Sequence, residues 1–169
     1  MIAEESAKIN GVWFTDVIRH SDGRGFFSEI FRKMWFTQPN YVDWRVMQAN
    51  HSFSKPGVLR GLHYHEKQID FWYVASGVIQ VGLVDLKENS RTYQNTQILQ
   101  LNSGMALYIP QMVAHGFLAQ TEVNLIYFVN QYYDGDDEHN AAWDGYGLDW
   151  DLHGFPSNYP IISARDEIK

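Results

Sequence analysis

The stretch Gln48-Ala49-Asn50-His51-Ser52-Phe53-Ser54-Lys55-Pro56-Gly57-Val58-Leu59-Arg60-Gly61-Leu62-His63-Tyr64-His65-Glu66-Lys67-Gln68-Ile69-Asp70-Phe71-Trp72-Tyr73-Val74-Ala75-Ser76-Gly77 decides how this chain is read. Its strand-forming apolar residues carry polar groups at close intervals: Gln48, Asn50, Ser52, Arg60, His63, His65 and Asp70. A strand sends successive side chains to opposite faces, so Gln48, Asn50 and Ser52 share a face, and so do His63 and His65. A polar row on an aromatic-rich strand is either a solvent face or the lining of a barrel, where a few placed polar groups meet a small ligand.

Working outward, short strands separated by turns predict a sandwich or barrel. Residues 9–17 read as a first strand with Val12, Phe14 and Val17 facing in, and residues 20–25 as a turn. Residues 26–31 read as a short strand and 32–36 as a helical turn ended near Pro39. Further strands are expected over 44–52, 58–64, 69–75, 78–86, 92–101, 106–109, 116–120 and 124–130. Beyond Asp134 strand signals fade, but Trp143, Trp150, Phe155 and Tyr159 predict a tail packed on the barrel.

The 169 residues suffice for a single domain over 1–169 with its own core. At 45% apolar and 20% charged residues the chain is globular, and its 15% aromatics suit a sheet-built protein with a stacking pocket. Without cysteine there is no disulfide, thiolate metal site or cysteine nucleophile. The opening residues lack the pattern of a signal peptide, and no run is long and apolar enough to span a membrane, so a soluble, cytoplasmic chain is expected. A net charge of −7 argues against nucleic-acid partners but still permits an anionic small ligand, because two or three arginines can hold a diphosphate.

Two constellations carry chemistry. In the first, Gly57, His63, His65, Asp70 and Gly77 are separated by five, one, four and six residues, which resembles the first cupin motif with Asp for the usual Glu. Gly104, Pro110 and His115 resemble the second motif, from which Met112 and Ala119 depart. Two histidines at i and i+2 point the same way, and hairpins bring a carboxylate and a further imidazole alongside, a usable set for a divalent metal of borderline hardness. The other reading is that His63 and His65 merely line a pocket, and the residues alone favour neither.

The second constellation is longer. It comprises Arg24-Gly25-Phe26 with Glu29, Gln48-Ala49-Asn50-His51-Ser52, Leu59-Arg60-Gly61-Leu62-His63, Val84-Asp85-Leu86-Lys87 with Ser90 and Thr92, Ile109-Pro110, Ala114-His115-Gly116-Phe117, Tyr127, Tyr132-Tyr133, Trp143-Asp144 and Ser163-Ala164-Arg165-Asp166. In this order, from about Asp16 to Asp166, the chain resembles the dTDP-4-dehydrorhamnose 3,5-epimerase family. The resemblance implies an all-β, cupin-type double-stranded β-helix (jelly roll) with short helical turns at the ends. It also implies a homodimer with no metal and no organic cofactor, acting on nucleotide-diphosphate 4-keto-6-deoxy sugars at C3, C5 or both.

On that resemblance, His63 is the base, Asp166 its orienting carboxylate and Tyr133 the proton donor on the opposite face. Arg24 and Arg60 bind diphosphate, Phe26 stacks the base, and Gln48, Asn50 and Glu29 hold sugar or base. His115 lies near sugar or phosphate, and Glu138 and Arg165 fall near ligand positions. The chemistry needs these types, because removing a proton beside a ketone takes a base of near-neutral pKa, a stabiliser for the enolate oxygen and an acid on the other face.

Three departures stand out. His65 replaces the family's usual Gln, the loop His65-Glu66-Lys67-Gln68 is short, and Asp70 stands where the family places a lysine beside the enolate. An ionised carboxylate would repel an enolate by several kcal/mol in a low-dielectric pocket. Asp70 must then be protonated, paired with His65, or joined to a metal, unless Lys67 swings in. A metal-free His65–Asp70 pair is the expectation, because the second cupin motif is imperfect and a ligated His63 could not act as a base. The rival readings are a metal-dependent cupin using His63, His65, Asp70 and His115, and a sugar-binding cupin without chemistry.

Overall fold

The computed structural model describes residues 3–36 and 44–167. Its strands, in chain order, are β1 (Glu4–Glu5), β2 (Trp13–Asp16), β3 (His20–Asp22), β4 (Gly25–Phe27), β5 (Gln48–Ser54), β6 (Leu59–Tyr64), β7 (Asp70–Ser76), β8 (Val78–Asp85), β9 (Thr96–Asn102), β10 (Met105–Ile109), β11 (Val113–Ala119), β12 (Val123–Val129) and β13 (His139–Asn140). Short 3₁₀ turns occupy Lys33–Phe36 and Pro156–Asn158. Two antiparallel sheets face each other: a six-stranded sheet ordered β1-β2-β10-β7-β12-β5 and a five-stranded sheet ordered β13-β6-β11-β8-β9. This is the expected all-β jelly roll.

Strand alternation builds the layers. From β7, Trp72 and Val74 point between the sheets with Leu107 and Leu125, meeting Val81, Leu83, Val113 and Phe117 of the opposite sheet. The intervening Phe71 and Tyr73 face outward, where Trp44, Phe31 and Trp35 cover them. Both faces of β7 are therefore buried, which is why Phe71-Trp72-Tyr73-Val74 is a continuous apolar run rather than an alternating one. The outer face of the five-stranded sheet is covered by the tail, whose Trp143 and Trp150 bury against Leu59, Leu62, Val84 and Leu118. Phe155 joins them half-buried, while Tyr159 stays exposed with its ring edge-on to Trp143.

Two glycines make close approaches possible. A Cβ at Gly82 would lie 2.5 Å from the Trp150 indole, so only glycine lets the tail dock there. Gly77, at φ +91° between β7 and β8, has the Glu122 carbonyl where a side chain would go, 2.2 Å from the Cβ position.

Several boundaries differ from the sequence expectation. The strand expected over 9–17 is β2 and starts only at Trp13, because the Ser6 hydroxyl accepts the Ile9 N–H at 2.9 Å and holds that segment in a turn, and a two-residue strand, β1, precedes it. β9 starts at Thr96, because the buried Asp85 carboxylate accepts the Thr92 hydroxyl at 2.6 Å, the Lys87 N–H at 3.0 Å and the Ser90 hydroxyl, extending the preceding turn. Residues 20–25 form more than a turn: β3 and β4 pair as a separate hairpin, and strand structure ends at Phe27. β5 begins at Gln48 and runs to Ser54, with Trp44 buried ahead of it. The helical turn is present, whereas its expected terminator, Pro39, lies outside the described residues.

Candidate active site

A cavity of about 380 Å³ lies between the sheets. β5 contributes Gln48, Asn50 and Ser52, β7 contributes Asp70 and Trp72, and β12 contributes Leu125 and Tyr127. From the opposite sheet come Arg60 and His63 of β6 and His115, Gly116 and Phe117 of β11. His65 and Gln68 join from the β6–β7 loop, and Tyr133, Asp134, Glu138, Ser163, Arg165 and Asp166 close the cavity from the tail. The polar row of β5 is thus pocket lining and not a solvent face.

His63 and Asp166, expected to pair, do so. His63 Nε2 lies 2.9 Å from Asp166 Oδ1, and the Ser163 hydroxyl donates to Asp166 Oδ2 at 2.9 Å. A carboxylate only accepts, so Nε2 carries the proton and Nδ1 the lone pair. Arg165 Nη2 also approaches Nε2, at 3.4 Å, but Nε2 cannot accept from it while donating to the closer carboxylate. Arg165 instead pairs with Glu138, whose Oε1 is 3.8 Å from His63 Nδ1. Asp166 is buried, unlike an ordinary charge near a chain end. Tyr133 sits at the rim, 66% exposed, with its backbone N–H bonded to Gln48 Oε1 at 3.1 Å. Gln48 in turn donates to Asn50 Oδ1 at 2.8 Å. Arg60 is held by Ser54 Oγ at 3.0 Å from Nε and the Phe53 carbonyl at 3.1 Å from Nη2, which orients its guanidinium at the pocket wall.

The region of the departures is rearranged. His65 and Asp70 are linked through Gln68, whose amide donates to Asp70 Oδ2 at 3.0 Å and to His65 Nε2 at 3.2 Å. The expected His65–Asp70 relationship is therefore mediated, because the short loop brings Gln68 between them. That loop is pinned by the buried Asp137 carboxylate, which accepts the backbone N–H groups of Glu66 at 3.0 Å, Lys67 at 3.2 Å and Gln68 at 3.2 Å. Lys67 is exposed and lies outside the lining, so the alternative in which it swings in finds no support. Burial drives the His115 pKa down to about 4 against the opposing pull of Asp70, with His65 adding to the depression, so this imidazole is neutral at neutral pH. Burial, then the Asp70 carboxylate, raises the Tyr127 phenol above its usual value and keeps it a proton-bearing donor.

Arg24, Phe26 and Glu29 are not brought to this pocket within the single chain. The β3–β4 hairpin is exposed along its length; Arg24 pairs with Asp22 at 2.6 Å, and Phe26 lies under the Arg19 guanidinium at 4.7 Å. Glu29 pairs with Arg32. The sequence reading gave no role to Gln68, Trp72, Asp137 or Ser163. Ser163 was legible from its place three residues before Asp166, but Asp137 was not, because its partners lie about 70 residues away.

The family model for dTDP-4-dehydrorhamnose 3,5-epimerase matches residues 6–169. Among curated proteins, the chain is 39% identical over 150 residues to the spore coat polysaccharide biosynthesis protein SpsL of Bacillus subtilis, covering 84% of this chain and 96% of that one. Among solved structures, the Mycobacterium tuberculosis rmlC epimerase superposes with a TM-score of 0.90 at 29% identity, over 98% of this chain and 86% of that one. ChmJ, a 3'-monoepimerase from Streptomyces bikiniensis solved with dTDP-quinovose, superposes with a TM-score of 0.82 at 30% identity, over 93% and 81% of the two chains.

Proposed function

Because the chain belongs to the dTDP-4-dehydrorhamnose 3,5-epimerase family, we propose that its pocket epimerises a nucleotide-diphosphate 4-keto-6-deoxy sugar at C3, C5 or both. The observation that carries this reading is the His63–Asp166 pair inside a cavity with Tyr133 at its rim. Asp166 fixes the tautomer that leaves His63 a base. His63 takes the proton from the carbon beside the ketone, the C–H electron pair forms the C=C bond of an enolate as the carbonyl π pair moves onto oxygen, and the Tyr133 phenol returns a proton to the other face of the carbon as the carbonyl re-forms. Arg60 offers a planar fork to the diphosphate, while Gln48 and Asn50 supply hydrogen bonds to the sugar or base. The relatives support a thymidine nucleotide, since ChmJ was solved with dTDP-quinovose. The name of SpsL supports polysaccharide biosynthesis as the destination of the product.

Homodimerisation belongs to the same proposal. Arg24 and Phe26 on the exposed hairpin, and Glu29 just beyond it, match the family's binding positions yet lie away from their own pocket. A second copy reconciles these facts if each hairpin serves the neighbour's site. Mixing inactive Arg24→Ala and His63→Asn subunits then restores one intact site per mixed dimer, and light scattering gives twice the chain mass. A cytoplasmic site of action is also part of the proposal, tested by fractionating cells that express the tagged chain. The main experiment incubates the protein with a panel of 4-keto nucleotide sugars in deuterated water. Deuterium entering at C3 or C5 with inversion supports the epimerase; binding without exchange leaves a sugar-binding module.

A further inference from the structure

The buried side of the pocket gathers His65, Asp70 and His115, whose potential ligand atoms all lie within 4.8 Å of one another. Each is 8% exposed or less. An outer partner orients every one of them. His65 Nδ1 is 2.8 Å from the Asp137 carbonyl, and His115 Nδ1 is 2.8 Å from the Val113 carbonyl. Carbonyls only accept, so both Nδ1 atoms bear the hydrogen and both Nε2 atoms present lone pairs. Asp70 Oδ1 accepts the Trp72 indole N–H at 3.3 Å, while Oδ2 accepts the Gln68 amide N–H at 3.0 Å. Three acceptors thus converge, and their recorded side-chain partners among the described residues include two neutral groups, the Gln68 amide, bonded to His65 Nε2 and Asp70 Oδ2, and the Trp72 indole. A carboxylate buried among neutral groups is costly unless a cation compensates it.

We propose that His65, Asp70 and His115 form a binding site for one divalent transition-metal ion of the zinc, cobalt, iron or manganese class. Two imidazoles and one carboxylate match the borderline hardness of these ions, and three protein ligands leave positions open for water or substrate. Outer hydrogen bonds that fix the tautomer and hold the carboxylate are the usual support of such ligands. Bonds of about 2.0–2.2 Å set ligand atoms roughly 3 to 3.5 Å apart, so binding draws the three side chains inward and displaces the Gln68 amide from the lone pairs it now occupies. His63 lies outside the triad, so a metal here does not consume the base; that objection to a metal, raised by the sequence, falls away. On the epimerase reading, on which this last role rests, an ion held by His65, Asp70 and His115 would supply the positive charge that the family's lysine offers the developing enolate. His63, outside the triad, remains the base that takes the carbon's proton.

The test is a titration of chelator-treated, dialysed full-length protein with Co²⁺, followed by visible absorption and calorimetry in the absence of any sugar. One equivalent is expected to bind with ligand-field bands. Asp70→Asn and His65→Gln should each weaken binding roughly 100-fold or more, while His63→Asn leaves it within a few-fold. Gln68→Ala should bind as tightly as the parent or tighter, because the competing amide is gone. Circular dichroism identifies variants that have lost their fold, and His65→Gln carries the test if Asp70→Asn does not fold. No saturable binding up to about 1 mM Co²⁺ overturns the site, as does binding that survives both Asp70→Asn and His65→Gln. Full deuterium exchange by stripped protein overturns the electrophilic role. Co²⁺ binding without exchange on any nucleotide sugar overturns the epimerase reading and leaves the metal site standing.

Discussion

His63 Nε2 and Asp166 Oδ1 lie 2.9 Å apart although 103 positions separate them in the chain, and the Ser163 hydroxyl holds the other carboxylate oxygen. The bond leaves a single lone pair, on Nδ1, to act as the base. Asp166→Asn puts an amide in that place, which can turn its N–H₂ to the ring and stabilise the other tautomer. Exchange of deuterium into the sugar should fall by about 10²–10⁴-fold, as should that of His63→Asn, with nucleotide affinity within a few-fold. A wild-type exchange rate in either variant removes the pair from the mechanism.

Tyr133 stands at the rim, fixed through its backbone to Gln48. If it only reprotonates, Tyr133→Phe loses inverted product but keeps some exchange with retention, read by NMR of the recovered sugar. Equal loss of exchange and inversion would show that the phenol also positions substrate, and no loss of either would make it a packing residue.

Among the described residues Arg60 is braced by Ser54 and the Phe53 carbonyl rather than by an acid, so its charge is available to a ligand. A diphosphate remote from the reacting carbon binds ground and transition states alike. Arg60→Ala should therefore raise KM more than it lowers kcat. A larger effect on kcat would place the guanidinium at the chemistry.

Stability offers an independent check on the docked tail. Gly82→Ala drives a methyl group into the Trp150 indole and should cost about 1–3 kcal/mol, seen as a lower denaturant midpoint. With Trp150→Ala also present, that cost should largely disappear, because the two side chains compete for the same space. Additive losses would mean that the tail does not dock there in solution.

Local pattern alone determined much of this protein. Alternating polar and apolar residues with turn signals specified a strand-built sandwich or barrel, and the resemblance carried by the Leu59-Arg60-Gly61-Leu62-His63 and Ala114-His115-Gly116-Phe117 runs implied the jelly roll and its pocket. The strand pattern is legible because side-chain direction in a strand follows from residue parity. Tertiary structure decided what parity cannot: that Asp137 pins the β6–β7 loop, that Gln68 enters between His65 and Asp70, and that Arg24 and Phe26 point away from their own pocket. It also separated His63 from the triad of His65, Asp70 and His115, which spacing alone had merged into one ligand set. The physical reason is common to all of these. Each depends on hydrogen bonds and packing between segments distant in the chain, whose meeting is set by how the sheets and loops close over one another.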